Sequence, residues 1–283
     1  MCKHICLAAF LFLSACSFVE AQVKYRVYLG TYTGEKSKGI YQCELNLKDG
    51  SLSTATLAVE TNSPSFVAFH PTGKYLYAVN ETQAKVSAFA INNRSGRLTF
   101  LNSQPSQGGA PCHLFIDPTG RNVLAANYSG GSCICIPIAV GGHLGKASSF
   151  QQHVGKKING HSIHVGQANR FALCCDLGLD KVIIYAFDAS HGTLTPHGAF
   201  DTPQGSGPRH FAWHPDGRTA YINGESNLTL MACDYDPDKG FLKQKQVLST
   251  LPKDVERQGG STAETVVHPS GKFLYGSNRG HHT

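Results

Sequence analysis

Four side chains in this sequence have the types for chemistry in common: His161, Arg209, Glu225 and Arg279. An imidazole can move a proton near neutral pH, and a carboxylate can activate water. Two guanidinium groups can hold a carboxylate or phosphate through paired hydrogen bonds and stabilise a developing oxyanion. Together they are what acyl-type chemistry on an anionic substrate requires. They are far apart along the chain, so only an architecture of long period can bring them to one place.

Such a period is visible. Phe66-Val67-Ala68-Phe69-His70-Pro71-Thr72-Gly73-Lys74-Tyr75-Leu76-Tyr77-Ala78-Val79-Asn80 reads as two strands folded around a Pro-x-Gly turn. The pattern recurs as Leu114 to Asn127 around Pro118, as Phe211 to Gly224 around Pro215, and as Thr265 to Asn278 around Pro269; a degenerate copy, Ile163 to Asp176, turns at Gln167. From Pro71 onward the turns are 47, 49, 48 and 54 residues apart. Each hairpin is followed by a third strand, such as Lys85 to Ile91 or Lys181 to Phe187, and a short fourth, such as Leu98 to Leu101 or Leu194 to His197. Four strands per unit of about 50 residues is the arithmetic of a β-propeller blade. The expected fold is therefore all-β, a propeller of four-stranded blades. An opening partial unit (Tyr25–Leu29, Ile40–Leu45) and five hairpins predict about five to six blades, with the C-terminal part of the ring missing.

The repeat also assigns side chains to places. Just before the first strand of successive hairpins stand Ser65, Cys112, His161, Arg209 and Ala263; just after the second stand Glu81, Tyr128, Leu177, Glu225 and Arg279. In an antiparallel hairpin these positions share one end. If first strands line the central channel, all ten ring one mouth, and the four chemical residues fall among them.

Composition narrows the classes. Of 283 residues 41% are hydrophobic and 16% charged, and the formal net charge is +6 without a run of five or more like charges, which argues against a disordered or nucleic-acid-binding chain. Lys3 followed by the apolar stretch Ile5 to Ala15 reads as a secretory leader, cleaved after Ala21 or, if Leu13-Ser14-Ala15-Cys16 is a lipobox, before a lipid-anchored Cys16. Residues 1–21 (or 1–15) are then the signal peptide and 22–283 the propeller. Export is expected, with cytoplasmic residence if the leader is not functional. No later stretch is apolar and long enough for a transmembrane helix.

Seven cysteines follow the leader, namely Cys43, Cys112, Cys133, Cys135, Cys174, Cys175 and Cys233. Their spacing forms neither a zinc motif nor a disulfide framework, and they are expected as buried core residues. His161 and His164 make a poor metal pair on an extended segment. His70, His214 and His268 recur before proline and read as turn residues, Asp176 to Asp180 as a strand-connecting turn, and Trp213 as blade core. Asn80, Asn93, Asn127 and Asn227 head Asn-x-Ser/Thr sequences.

Several stretches together resemble one family: Tyr28-Leu29-Gly30-Thr31-Tyr32-Thr33, Gly39-Ile40-Tyr41, Asn127-Tyr128-Ser129-Gly130-Gly131-Ser132, Asp176-Leu177-Gly178-Leu179-Asp180-Lys181, Gly207-Pro208-Arg209-His210 and Ser277-Asn278-Arg279-Gly280. They are similar to the 6-phosphogluconolactonase / carboxy-cis,cis-muconate cyclase family of seven-bladed propeller lactonases. The resemblance implies hydrolysis of a sugar lactone, 6-phospho-D-glucono-1,5-lactone foremost, by a carboxylic ester hydrolase without a metal or organic cofactor. It carries the catalytic roles onto His161, Glu225, Arg209 and Arg279, and around them His113, Tyr128, Asp176, His210 and Glu264 are expected to bind substrate. The expected partner is a small anionic sugar lactone, with no nucleic acid, and the chain is expected to be a monomer. Two other readings are a carboxymuconate-type lactonizing cyclase and a non-catalytic exported propeller that binds an acidic ligand or protein.

Overall fold

The computed structural model describes residues 23–255 and 259–280. The leader and Cys16 lie outside them. The chain builds consecutive antiparallel sheets in sequence order. The first has three strands: β1 (Lys24–Leu29), β2 (Gly39–Asn46) and β3 (Thr56–Glu60). The second joins β4 (Val67–Phe69), β5 (Tyr75–Asn80), β6 (Lys85–Ile91) and β7 (Leu98–Pro105); the third, β8 (Pro111–Ile116), β9 (Asn122–Asn127), β10 (Ser132–Pro137) and β11 (Ser149–Gln152). The fourth holds β12 (Gly160–Val165), β13 (Phe171–Asp176), β14 (Lys181–Asp188) and β15 (Thr193–Asp201); the fifth, β16 (Pro208–Trp213), β17 (Thr219–Gly224), β18 (Thr229–Asp236) and β19 (Phe241–Ser249). The last pairs β20 (Ser261–Val267) with β21 (Leu274–Arg279). Each sheet is an up-and-down meander, and the expected hairpins are the first two strands of the sheets from β4 onward. Among the described residues no helix is long and apolar enough to cross a membrane.

The core lies between sheets rather than within one. Tyr77 and Val79 of β5 pack with Leu114 of β8 and Ile134 of β10; Leu124 of β9 and Cys133 meet Ile163 of β12 and Cys174 of β13; Leu173 and Ile184 meet Phe211 of β16 and Ile222 of β17. Covered on both faces, β9 and β13 are buried along their whole length, whereas β15 and β19 at the outer edges are largely exposed. That explains why the second strand of a hairpin reads as a continuous apolar run and the fourth strand carries little signal. Trp213 sits in this packing, its Nε1 donating to the Val165 carbonyl at 3.0 Å and its ring 4.6 Å from those of Phe211 and Tyr235.

Turns and connectors fasten neighbouring sheets. His70 Nε2 bonds the Gly120 carbonyl at 2.9 Å and His214 Nε2 that of Gly271 at 3.1 Å, so these turn histidines also latch each turn to the next. Where the degenerate copy lacks the motif, Asn169 donates instead to Asp117 Oδ2 at 2.9 Å. At the opposite end, the asparagines closing β5, β9 and β21 reach back to the preceding connector: Asn80 donates to the Asn62 carbonyl, Asn127 to that of Ser106, Asn278 to that of Thr250. Asn80 and Asn127 are buried, which rules them out as glycan acceptors in the folded chain.

One feature escaped the repeat arithmetic. First strands from β8 onward begin three or four residues earlier than the apolar alternation suggests, because each of these carries a register shift near its start: between Pro111 and His113, Gly160 and Ser162, Pro208 and Phe211, and Thr262 and Thr265. A bulge leaves its extra residue out of the ladder and re-aims the side chain. The residues so displaced are Cys112, His161, Arg209 with His210, and Ala263 with Glu264.

Candidate active site

The bulges of β8, β12 and β16 deliver Cys112, His161, Arg209 and His210 to a cavity of about 320 Å³, lined also by Tyr32, Ser65, Phe66, Glu81, Tyr128, Glu225 and Arg279. Of the ten mouth positions named by the repeat, all but Leu177 and Ala263 line it. His161, Arg209, Glu225 and Arg279 are thus brought together from three neighbouring sheets.

Glu225 is the hinge of the cluster. Its Oε2 lies 2.7 Å from Arg209 Nε and 3.0 Å from an Arg279 Nη. Arg209 also donates Nη1 to the Ala263 carbonyl, and Arg279 donates to the Thr262 carbonyl at 3.2 Å. Each guanidinium is therefore held on one side by the chain and on the other by Glu225. Burial lowers the pKa of Arg209 from its usual value, opposed by the Glu225 carboxylate and reinforced by the charge of Arg279.

His161 is buried, its ring 5.6 Å from that of Tyr128 and 5.2 Å from that of His210. Burial, then the charges of Arg209 and His210, press its pKa well below the usual imidazole value, so it is neutral at pH 7. Cys112, beside it, donates its thiol to the His161 carbonyl at 3.1 Å, and burial pushes the thiol up to about 12, which leaves it an unreactive neighbour.

The opposite wall carries a second carboxylate. Glu81 accepts hydrogen bonds from Tyr32 at 2.7 Å and Ser65 at 2.6 Å. The phenol of Tyr32, pushed up to about 12 by burial and by Glu81, remains a donor. Sequence reasoning placed Glu81 at the mouth without giving it a role. Its isolation from the guanidinium cluster follows from pairings that only the folded chain displays.

The residues expected to bind substrate divide. Tyr128 and His210 line the cavity. His113 does not: it is buried beneath, accepting from the Ile163 amide at Nδ1, with its ring 4.3 Å from that of Phe66 and 4.7 Å from that of His164. Glu264 lies behind His210 and accepts a hydrogen bond from its Nδ1 at 2.8 Å, so it orients that ring; burial would raise its carboxyl, but the His210 contact outweighs this and lowers it. Asp176 also turns away from the cavity, fully buried. Its Oδ1 accepts from the amides of Asn159, Gly178 and Leu179 and its Oδ2 from His153, the hydrogen bonding of a strand-connecting turn.

With fold and cavity established, comparison with known proteins is decisive. The family described as "Lactonase, 7-bladed beta-propeller" matches residues 26–283. The chain belongs to this lactonase family. Among its relatives, a 6-phosphogluconolactonase of Bacillus subtilis is 35% identical over 267 residues, covering 91% of this chain and 76% of that protein. A 6-phosphogluconolactonase of Formosa agariphila is 30% identical, over 90% of this chain and 75% of its own length. Among solved structures, the Pseudomonas aeruginosa periplasmic gluconolactonase superposes with a TM-score of 0.84 at 26% identity, over 90% of this chain and 76% of that one.

Proposed function

We propose that the mouth cavity hydrolyses a sugar lactone, with 6-phospho-D-glucono-1,5-lactone as the first substrate to test. The observation that carries this is the convergence of a neutral, buried imidazole with two guanidinium groups fixed by one carboxylate, in a chain of the lactonase family. Water attacks the lactone carbonyl and His161 takes its proton. The carbonyl electrons move to oxygen, where Arg209 or Arg279 donates to the oxyanion. As the tetrahedral intermediate collapses, the C–O bond to the ring oxygen breaks and imidazolium returns the proton to it. A depressed pKa suits this last step, since the imidazolium is then a strong acid toward the alkoxide. Glu225, with both guanidinium groups on its Oε2, aims them rather than carrying the proton.

A second reading of the substrate has an observation behind it. Arg209 and Arg279 are matched by Glu225 and Glu81, so the four charged lining side chains sum to zero, and Glu81 is suited to accept sugar hydroxyls. An unphosphorylated aldonolactone fits that balance. Acid release from phosphorylated and unphosphorylated lactones, measured against spontaneous hydrolysis, separates the two. Arg209→Ala and Glu225→Gln should each depress turnover at least about tenfold with the fold intact by circular dichroism. Unaltered turnover in both variants, or no turnover of any lactone by the unmodified protein, would refute the proposal.

A further inference from the structure

The asparagines that close β5, β9 and β21 do one job; β17 closes on Gly224, and in the fourth sheet the job has changed. Asn80, Asn127 and Asn278 each donate a side-chain amide to a carbonyl of the preceding connector. In the fourth sheet the equivalent residue is Asp176, and its partner is the imidazole of His153, whose Nδ1–H donates to Oδ2 at 2.5 Å. Both side chains are fully buried. The carboxylate holds Nδ1 turned toward Asp176, so Nε2, which has no hydrogen-bond partner, is the nitrogen left to face a ligand.

Beside this imidazole stand two thiols from adjacent sheets, Cys133 on β10 and Cys174 on β13. A ring nitrogen of His153 and the two Sγ atoms all lie within 4.8 Å of one another. We propose that Cys133, Cys174 and His153 bind a zinc ion, with Asp176 orienting the imidazole from behind. Carboxylate–histidine–metal arrangements are the usual way a protein sets the tautomer and basicity of a ligating histidine. Two sulfurs and one nitrogen select a thiophilic cation over magnesium or calcium. Ligand bonds of about 2.0–2.3 Å require these atoms to draw together by about 1 Å, within reach of small side-chain rotations. Tyr185, buried, with its ring stacked 6.5 Å from that of His153 and its hydroxyl interacting with Cys133, is the protein oxygen available for a fourth position.

Binding is acid–base chemistry without a change of oxidation state: the two thiols ionise, their protons leave to solvent, and two thiolates neutralise the dication. The ion would bolt the third sheet to the fourth and anchor the connector that runs from His153 to His161.

The test uses the full chain purified without chelator or reductant. About one zinc per chain should survive gel filtration in metal-free buffer, and chelation should lower the Tm, with zinc restoring it. Replacement by Co²⁺ should give thiolate-to-cobalt charge-transfer absorption and the d–d bands of a four-coordinate ion. Cys174→Ser and His153→Ala should lose both signals, and Cys43→Ser should keep them. Should those variants fail to fold, zinc-dependent protection of Cys133 and Cys174 from alkylation in the unmodified protein reads the same site. No retained zinc together with no cobalt charge transfer would overturn the proposal, as would a Cys133–Cys174 disulfide peptide in an unreduced digest.

Discussion

Three buried imidazoles make the fold sensitive to mild acid. His113 and His161 are held well below the usual histidine value and His164 is lowered to about 3, each chiefly by burial. Their neighbours add to this: Arg209 faces both His113 and His161, Arg279 faces His161, and the imidazoles crowd one another, so that protonating one disfavours protonating the next. Only Glu264 pulls His164 the other way. In the unfolded chain each returns to about 6.5. Below that pH the unfolded state binds protons that the folded state refuses, so stability is full above about pH 6.5 and falls as the pH drops. Each group contributes about 1.4 kcal/mol per pH unit, so three approach about 4 kcal/mol per unit, against a typical total of about 5–15 kcal/mol. The assay is urea unfolding at constant ionic strength at intervals from about pH 7 to pH 5. The expected slope approaches three protons, and His164→Phe should remove one. A slope of one proton or less would show that these imidazoles are not buried in neutral form.

Other consequences follow from packing. Phe211, buried against Leu173 and Ile184 of the neighbouring sheet, should cost about 3–5 kcal/mol on truncation to alanine, read as a lower urea midpoint with unchanged m. His70→Ala removes the bond to Gly120 that joins two turns and should cost about 1 kcal/mol, while lactone turnover stays unchanged because the turn lies outside the cavity.

The hairpins were legible because Pro-x-Gly turns and apolar second strands are local signals. β3, β11 and β19 were not, since edge strands with one covered face carry mixed sequences. The mouth residues could be named from the repeat, because equivalent positions in a ring occupy equivalent places. What they bond to could not: that Glu225 serves two arginines, that Glu264 stands behind His210, and that Asp176 faces inward depend on side-chain direction across sheets. His153 left no trace in the spacing, lying in an irregular connector. Cys133 and Cys174 are 41 residues apart, a separation that corresponds to no local ligand motif.

The shifted register at the head of β8, β12 and β16 separates two kinds of inheritance. Residues after the shift answer to the neighbouring sheets and must keep their size; Cys112, His161, Arg209 and His210, within it, face whatever enters the pore. A lineage can therefore trade one cargo for another by rewriting a single letter per blade, leaving the instructions for folding as they were.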